Sequence, residues 1–210
     1  MLTLYGCKGC GSVVIEAMLK LCGEEFSLVR WDWDDEPAWS KFATVSVQRQ
    51  VPTLVLNDGS LLTESAAIVC WLLQKFPNSA MLPADPLMQA QMYRWLIYLS
   101  VNVYVPICVG DFPERWIGDD ASAQERLKAG ALTRIHQHWN LLENELTGSG
   151  QYLLGDTMCA LDVYAAMMSR WRPGRLWIRA NCPKVTKAVE ATEAHPVVNE
   201  VFTDNFGPLK

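Results

Sequence analysis

Short apolar runs broken by turn-forming residues fill the first eighty or so positions of this 210-residue chain, and longer helical stripes fill the rest. Leu2 to Tyr5 is apolar with a β-branched Thr3, the pattern of a buried strand. Gly6 to Ser12 holds three glycines and two cysteines and reads as a loop. Val14, Met18 and Leu21 then recur on one helical face within 13–21. Glu25 to Trp31 reads as a second strand, followed by an acidic, tryptophan-rich connection and a short irregular helix ending near Val47. Val51 to Leu56 and Leu61-Leu62 flank Asn57-Asp58-Gly59-Ser60; Asp-Gly between apolar runs predicts a hairpin. Thr63-Glu64-Ser65 opens a helix bearing Ile68, Val69, Leu72, Leu73 and Phe76. Strand, helix, strand, helix, hairpin, helix is the order of an α/β sandwich.

Pro77 to Pro86 carries three prolines and reads as a linker. Strand signals stop there. Helical patterns cover 86–110, 120–147, 159–172, 184–192 and 196–204. The expected organisation is an α/β domain over 1–78, a linker over 79–85 and an all-helical domain over 86–210.

Composition narrows the function. Half the residues are apolar, enough for a sizeable core, and the net charge of −5 with no Lys/Arg cluster argues against a nucleic-acid or anionic-membrane partner. The longest uninterrupted apolar stretch, Ala66 to Leu73, is far short of the ~20 residues of a membrane span. No signal peptide is expected, because the start lacks a basic flank. The cysteines number seven and are scattered, which points to a reducing, cytoplasmic setting rather than a disulfide framework. His136 and His138 diverge on a helix, so no metal site is expected.

Four motifs in order resemble the glutathione transferase superfamily, in its bacterial cytosolic form with cysteine at the catalytic position. They are Leu4-Tyr5-Gly6 leading to Cys10, Val51-Pro52, Glu64-Ser65, and Gly155-Asp156 followed by Cys159 and Asp162. The resemblance spans essentially the whole chain. It implies a thioredoxin-like α/β domain that binds glutathione, followed by an all-helical glutathione transferase C-terminal domain. It also implies a homodimer, a role in detoxification, and glutathione as cosubstrate with no further cofactor. The second substrate is expected to be a small electrophile or a disulfide.

Each motif has a physical reading beside the resemblance. Glu64 is a carboxylate for the ammonium of the γ-glutamyl group, and Ser65 at a helix N-terminus offers donors for its carboxylate. The resemblance implies that Pro52 is cis, which turns the backbone of Val51 outward to pair with a peptide ligand. Gln50 or Arg49 stands in place of the usual contacts to the glycyl end. Cys10 lies just before a helix, where N–H groups favour a thiolate. Ser12 is its rival as the group that holds the glutathione sulfur. Cys7-Lys8-Gly9-Cys10 is formally a C-x-x-C, but its second cysteine falls at the helix start, so Cys7 is expected to be a bystander in the loop. Tyr104, Trp116 and Trp171 are candidates for an apolar second-substrate pocket. The expected function is conjugation of glutathione to an electrophile, or thiol–disulfide exchange through Cys10. The alternative is a binding or regulatory protein on the same fold without turnover.

Overall fold

The computed structural model describes residues 1–146 and 150–208. Residue 147, the expected end of the second long helix, lies outside them, as do 209 and 210. Contacts divide the chain into two compact units, one of Met1–Leu82 with the segment from Glu193 onward, the other of Pro83–Thr192.

In the first unit the elements are β1 (Leu2–Cys7), α1 (Ser12–Leu21), β2 (Phe26–Trp31), α2 (Glu36–Phe42), β3 (Thr53–Val55), β4 (Leu61–Leu62) and α3 (Ser65–Lys75). The sheet order is β2-β1-β3-β4. β1 pairs in parallel with β2 and antiparallel with β3, and β3 pairs antiparallel with β4. Leu2 and Leu4 of β1 are buried, as are Val13 to Leu19 on α1 and Ile68, Val69, Leu72 and Leu73 on α3. The expected hairpin forms, closed by Gly59 N–H to Leu56 C=O at 3.0 Å with Gly59 at φ +84°, a conformation glycine adopts without steric cost.

Strand β1 runs two residues past its expected end. Gly6 and Cys7 continue the ladder opposite Arg30 and Trp31, so Cys7 is a buried strand residue and not part of a loop. The tryptophan-rich segment is also mostly core. Trp31, Trp39 and Phe42 form one cluster with Cys7, and Trp39 Nε1–H donates to Trp33 C=O at 2.9 Å. Of these tryptophans Trp33 is the exposed one, set edge-on to Trp39.

The last helix of the chain, α11 (Pro196–Phe206), packs on α1. Buried Glu16 of α1 accepts hydrogen bonds from Arg30 at 3.2 Å and from Asn205 at 3.2 Å, and Arg30 also pairs with Asp204. The Phe206 ring lies about 3.5 Å from where a Cβ on Gly9 would sit. This packing is what groups the chain's end with the first unit.

The second unit holds α4 (Pro86–Leu99), α5 (Val105–Asp111), α6 (Glu114–Ile117), α7 (Ala121–Glu145), α8 (Ala160–Ser169), α9 (Arg175–Asn181) and all but the last residue of α10 (Pro183–Glu193). The short helices α6 and α9 have no counterpart in the sequence pattern, being too brief to show a period. A π-helical turn, Ser100–Tyr104, joins α4 to α5. Pro106 has no N–H to give residue 102, which accounts for the shifted pairing. The continuous run Pro86–Asp111 is long and apolar enough to cross a membrane by length and composition, although polar residues interrupt it. Its Trp95, Leu96, Leu99 and Val103 are buried and it contacts α7 and α8, while Ile97, Val101 and Val105 are exposed. His136 stacks on Trp177 at 4.2 Å while His138 meets Tyr98, so the two rings face different partners.

Asp162 carries the capping box of α8. Its fully buried carboxylate accepts the N–H of Cys159 at 2.8 Å and that of Leu153 at 2.8 Å. Burial raises its pKa to about 6, with those two bonds opposing. Sulfur is a weak acceptor, so the carboxylate and not Cys159 secures this helix start. Asp162→Ala strands two buried N–H groups and is expected to lower stability by about 2–4 kcal/mol at pH 7, measured by urea unfolding.

Candidate functional site in the first unit

The pairing register brings three motifs to one end of the sheet. Tyr5 lies opposite Thr53, and Leu54 lies opposite Leu62. The ladders end there, and Cys7, Val51-Pro52 and Glu64 each lie within two residues of those last pairs. β1 and β4 are two strand spacings apart, about 10 Å. An extended tripeptide has about that length. The segments Cys7–Cys10, Val51-Pro52 and Glu64-Ser65 therefore follow strand ends that lie at one end of the sheet, across a width comparable to that length.

The Val51–Pro52 bond is cis, as the resemblance implied. Val51 is half-buried, and with Cys10 it packs against the Cys7, Trp31, Trp39 and Phe42 cluster. Buried Thr53 donates its hydroxyl to Gln50 C=O at 2.9 Å, which fixes the approach to the proline. Gln50 and Arg49 are exposed; Arg49 has φ +50° and its guanidinium lies 3.8 Å from Glu36.

Glu64 is exposed and sits at φ +62°, ψ 107°, while its carbonyl accepts the first hydrogen bond of α3 from Ile68 at 2.9 Å. A non-glycine residue held there is strained, and such strain concentrates at ligand sites. Nothing in the sequence signals this backbone. Ser65 is the first residue of α3 and is buried.

Cys10 sits just ahead of α1, whose N-cap is Gly11. A turn closed by Cys10 N–H to Cys7 C=O at 3.3 Å leads into it, and Cys10 C=O accepts from Val13 N–H at 3.1 Å. Cys10 is partly exposed, whereas Cys7 is fully buried. Their side chains are hydrogen-bonded to each other. That bond holds the Cys10 thiol below its ordinary range, against an opposing effect of burial. Cys7 moves the other way, because it donates the bond, is buried and faces the charge on Cys10. The helix N-terminus favours the same anion at Cys10. Ser12 is buried under Gly6, and its hydroxyl donates to Cys7 C=O at 3.1 Å. Its hydrogen is therefore committed to the strand.

In the second unit Tyr104 and Trp171 pack together, ring centroids 4.9 Å apart, with Tyr104 at the end of the π-helical turn. Trp116 stands 62% exposed on α6. The structure joins two of the three aromatic candidates and leaves the third on a separate short helix.

A parallel–antiparallel sheet with a thiol at the start of its first helix, a cis proline before its third strand and a helical second unit defines a thioredoxin-like protein of the glutathione transferase type. The comparisons agree. Residues 12–75 match the family described as glutathione S-transferase, N-terminal domain. The chain is 31% identical over 208 residues, 98% of each protein, to the uncharacterized GST-like protein YncG of Escherichia coli strain K12. It is 25% identical over 170 residues, 78% of each, to the glutathione S-transferase GstA of Escherichia coli O157:H7. Among solved structures it superposes on a glutathione transferase homolog from Sulfitobacter with bound glutathione, at TM-score 0.83 and 23% identity over 98% of this chain and 99% of that one. The chain belongs to the glutathione transferase superfamily.

The thiol pair makes the pH dependence of Cys10 testable. Its alkylation by iodoacetamide, followed by peptide mapping, is expected to show a midpoint below the ordinary thiol value of ~8.5. Cys7→Ala removes the donated hydrogen bond and is expected to move that midpoint upward.

Proposed function

We propose that this protein is a glutathione-dependent enzyme that works through Cys10, by thiol–disulfide exchange or by conjugation of glutathione to an electrophile. The observation that carries the reading is the partly exposed Cys10 thiol at the start of α1, hydrogen-bonded by Cys7, at the sheet end that also bears Val51 and Glu64-Ser65. Glutathione would lie antiparallel to the Val51 backbone, with its ammonium at Glu64 and its carboxylate at the N-terminus of α3 near Ser65. Gln50 and Arg49 are exposed where a glycyl carboxylate needs donors. The sulfur then faces Cys10. Ser12 is the weaker candidate because its hydroxyl already serves Cys7 C=O. A thiolate at Cys10 favours mixed-disulfide chemistry over simple hydrogen bonding to a bound thiol. Tyr104 and Trp171 are the proposed apolar contacts for a second substrate, with Trp116 in a lesser role.

The rest of the reading concerns setting and assembly. Glutathione is a cosubstrate, no other cofactor is needed, and the place of action is a reducing cytoplasm with a detoxifying role. The protein is proposed to work as a homodimer. Ile97, Val101 and Val105 form an exposed apolar stripe at four-residue spacing across α4, the π-helical turn and α5, and a second copy is its proposed cover.

Calorimetric titration with glutathione is expected to give saturable binding that Glu64→Ala weakens by about 1.5–3 kcal/mol. Cys10→Ser should abolish reduction of a small disulfide by glutathione. Binding without turnover of either a disulfide or an aryl halide would favour a non-catalytic binding protein. Sedimentation equilibrium is expected to show a dimer, and Val101→Glu should shift it to monomer.

A further inference from the structure

We infer that Cys7 is the resolving thiol of a two-cysteine reaction in which Cys10 is the nucleophile. The inference deepens the proposed function and rests on it. Three geometric facts carry it. The turn from Cys7 to Cys10 is closed by a backbone hydrogen bond of 3.3 Å, and a turn of four residues holds its end Cα atoms within ~7 Å, the range in which disulfides form. Gly9 at φ +68° gives that turn its shape. The Cys10 side chain packs against the cluster that contains Cys7, so the two side chains converge.

The division of labour follows from burial. Cys10 is partly exposed and is the one a substrate disulfide reaches. Cys7 is fully buried in the cluster of Trp31, Trp39 and Phe42, against which Cys10 packs. In the thioredoxin pattern the first cysteine begins the helix and the second is the resolving one. Here α1 begins at Ser12, after the second cysteine, so the roles are reversed along the chain.

The reaction balances with glutathione as the reductant. The Cys10 thiolate attacks a disulfide R–S–S–R′, forms a bond to one sulfur and expels R′S⁻. The Cys7 proton passes to that leaving thiolate, either directly or through solvent. The Cys7 thiolate then attacks the Cys10 sulfur, and RS⁻ leaves and takes a proton from solvent. The enzyme is now oxidised by two electrons as a Cys7–Cys10 disulfide. Two glutathione thiols reduce it in turn and leave as glutathione disulfide.

The test uses the wild-type chain and Cys7→Ala, each treated with glutathione disulfide, quenched with acid and digested with trypsin. Lys8 lies between the two cysteines, so cleavage there leaves peptides 1–8 and 9–20 joined only if the internal disulfide has formed. The expected result is the joined pair in wild type with little glutathione retained, and a stable glutathione adduct on peptide 9–20 in Cys7→Ala. A wild-type chain that keeps the Cys10 adduct to the same extent as Cys7→Ala overturns the inference, while intact glutathione binding by calorimetry leaves the proposed function standing. No adduct at Cys10 in either chain, together with no heat of glutathione binding, overturns both. If Cys7→Ala does not fold, as judged by circular dichroism, the wild-type peptides decide alone: joined peptides support the inference and a lone adduct refutes it.

Discussion

Strand β1 is hydrogen-bonded along both edges, to β2 on one side and β3 on the other, and the placement of the candidate residues in the first unit depends on that double pairing. A strand tied on both edges cannot slip by one residue without turning Leu2 and Leu4 out of the core. Its C-terminal end is therefore fixed, and the chain must leave the sheet at Cys7. The turn to Cys10 and the start of α1 follow from that exit. On the neighbouring strands, the register ends at Thr53 and Leu62, so Val51-Pro52 and Glu64 leave the sheet at the same end as Cys7.

The thiol pair turns this geometry into chemistry. One cysteine at a helix N-terminus already has a reason to ionise. A second thiol that donates a hydrogen bond to it adds a cause that no charged residue supplies, and the donor's own burial keeps its proton in place. The aromatic cluster beneath, with Tyr5 stacked on Phe42 at 5.5 Å, closes Cys7 off from solvent. Ser12 completes the arrangement from the other side by bonding to Cys7 C=O, which pins the strand end to the helix start. The same seam is braced from the far end of the chain, where α11 reaches α1 through Glu16, Arg30 and Asn205.

In the second unit the helices are set by a different device. Asp162 is buried, which raises its pKa to about 6, and its carboxylate holds the backbone N–H groups of Leu153 and Cys159. The π-helical turn before Pro106 places Tyr104 against Trp171. Both are local solutions to missing backbone hydrogen bonds.

The sequence by itself determined the order of elements in the first unit, the hairpin at Asp58-Gly59, the cis proline through the family motif, and an α/β half followed by a helical region. These depend on period, turn chemistry and motif spacing, which are local. It also singled out Cys10, Glu64 and Ser65. Tertiary structure decided the rest. Cys7 reads as a loop residue until the ladder to Trp31 shows that it is the buried end of a strand, because strand length is set by the partner and not by the segment. Ser12 reads as a rival to Cys10 for the glutathione sulfur until its bond to Cys7 C=O is seen. The acidic, tryptophan-rich segment reads as a connection, yet Trp31 and Trp39 are core while Asp32, Asp34, Asp35 and Glu36 are exposed. The positive φ of Glu64 has no sequence signal, since it is imposed by the junction of β4 with α3. In each case the deciding partner lies on another element, and contacts between elements are what a single chain read in order does not contain.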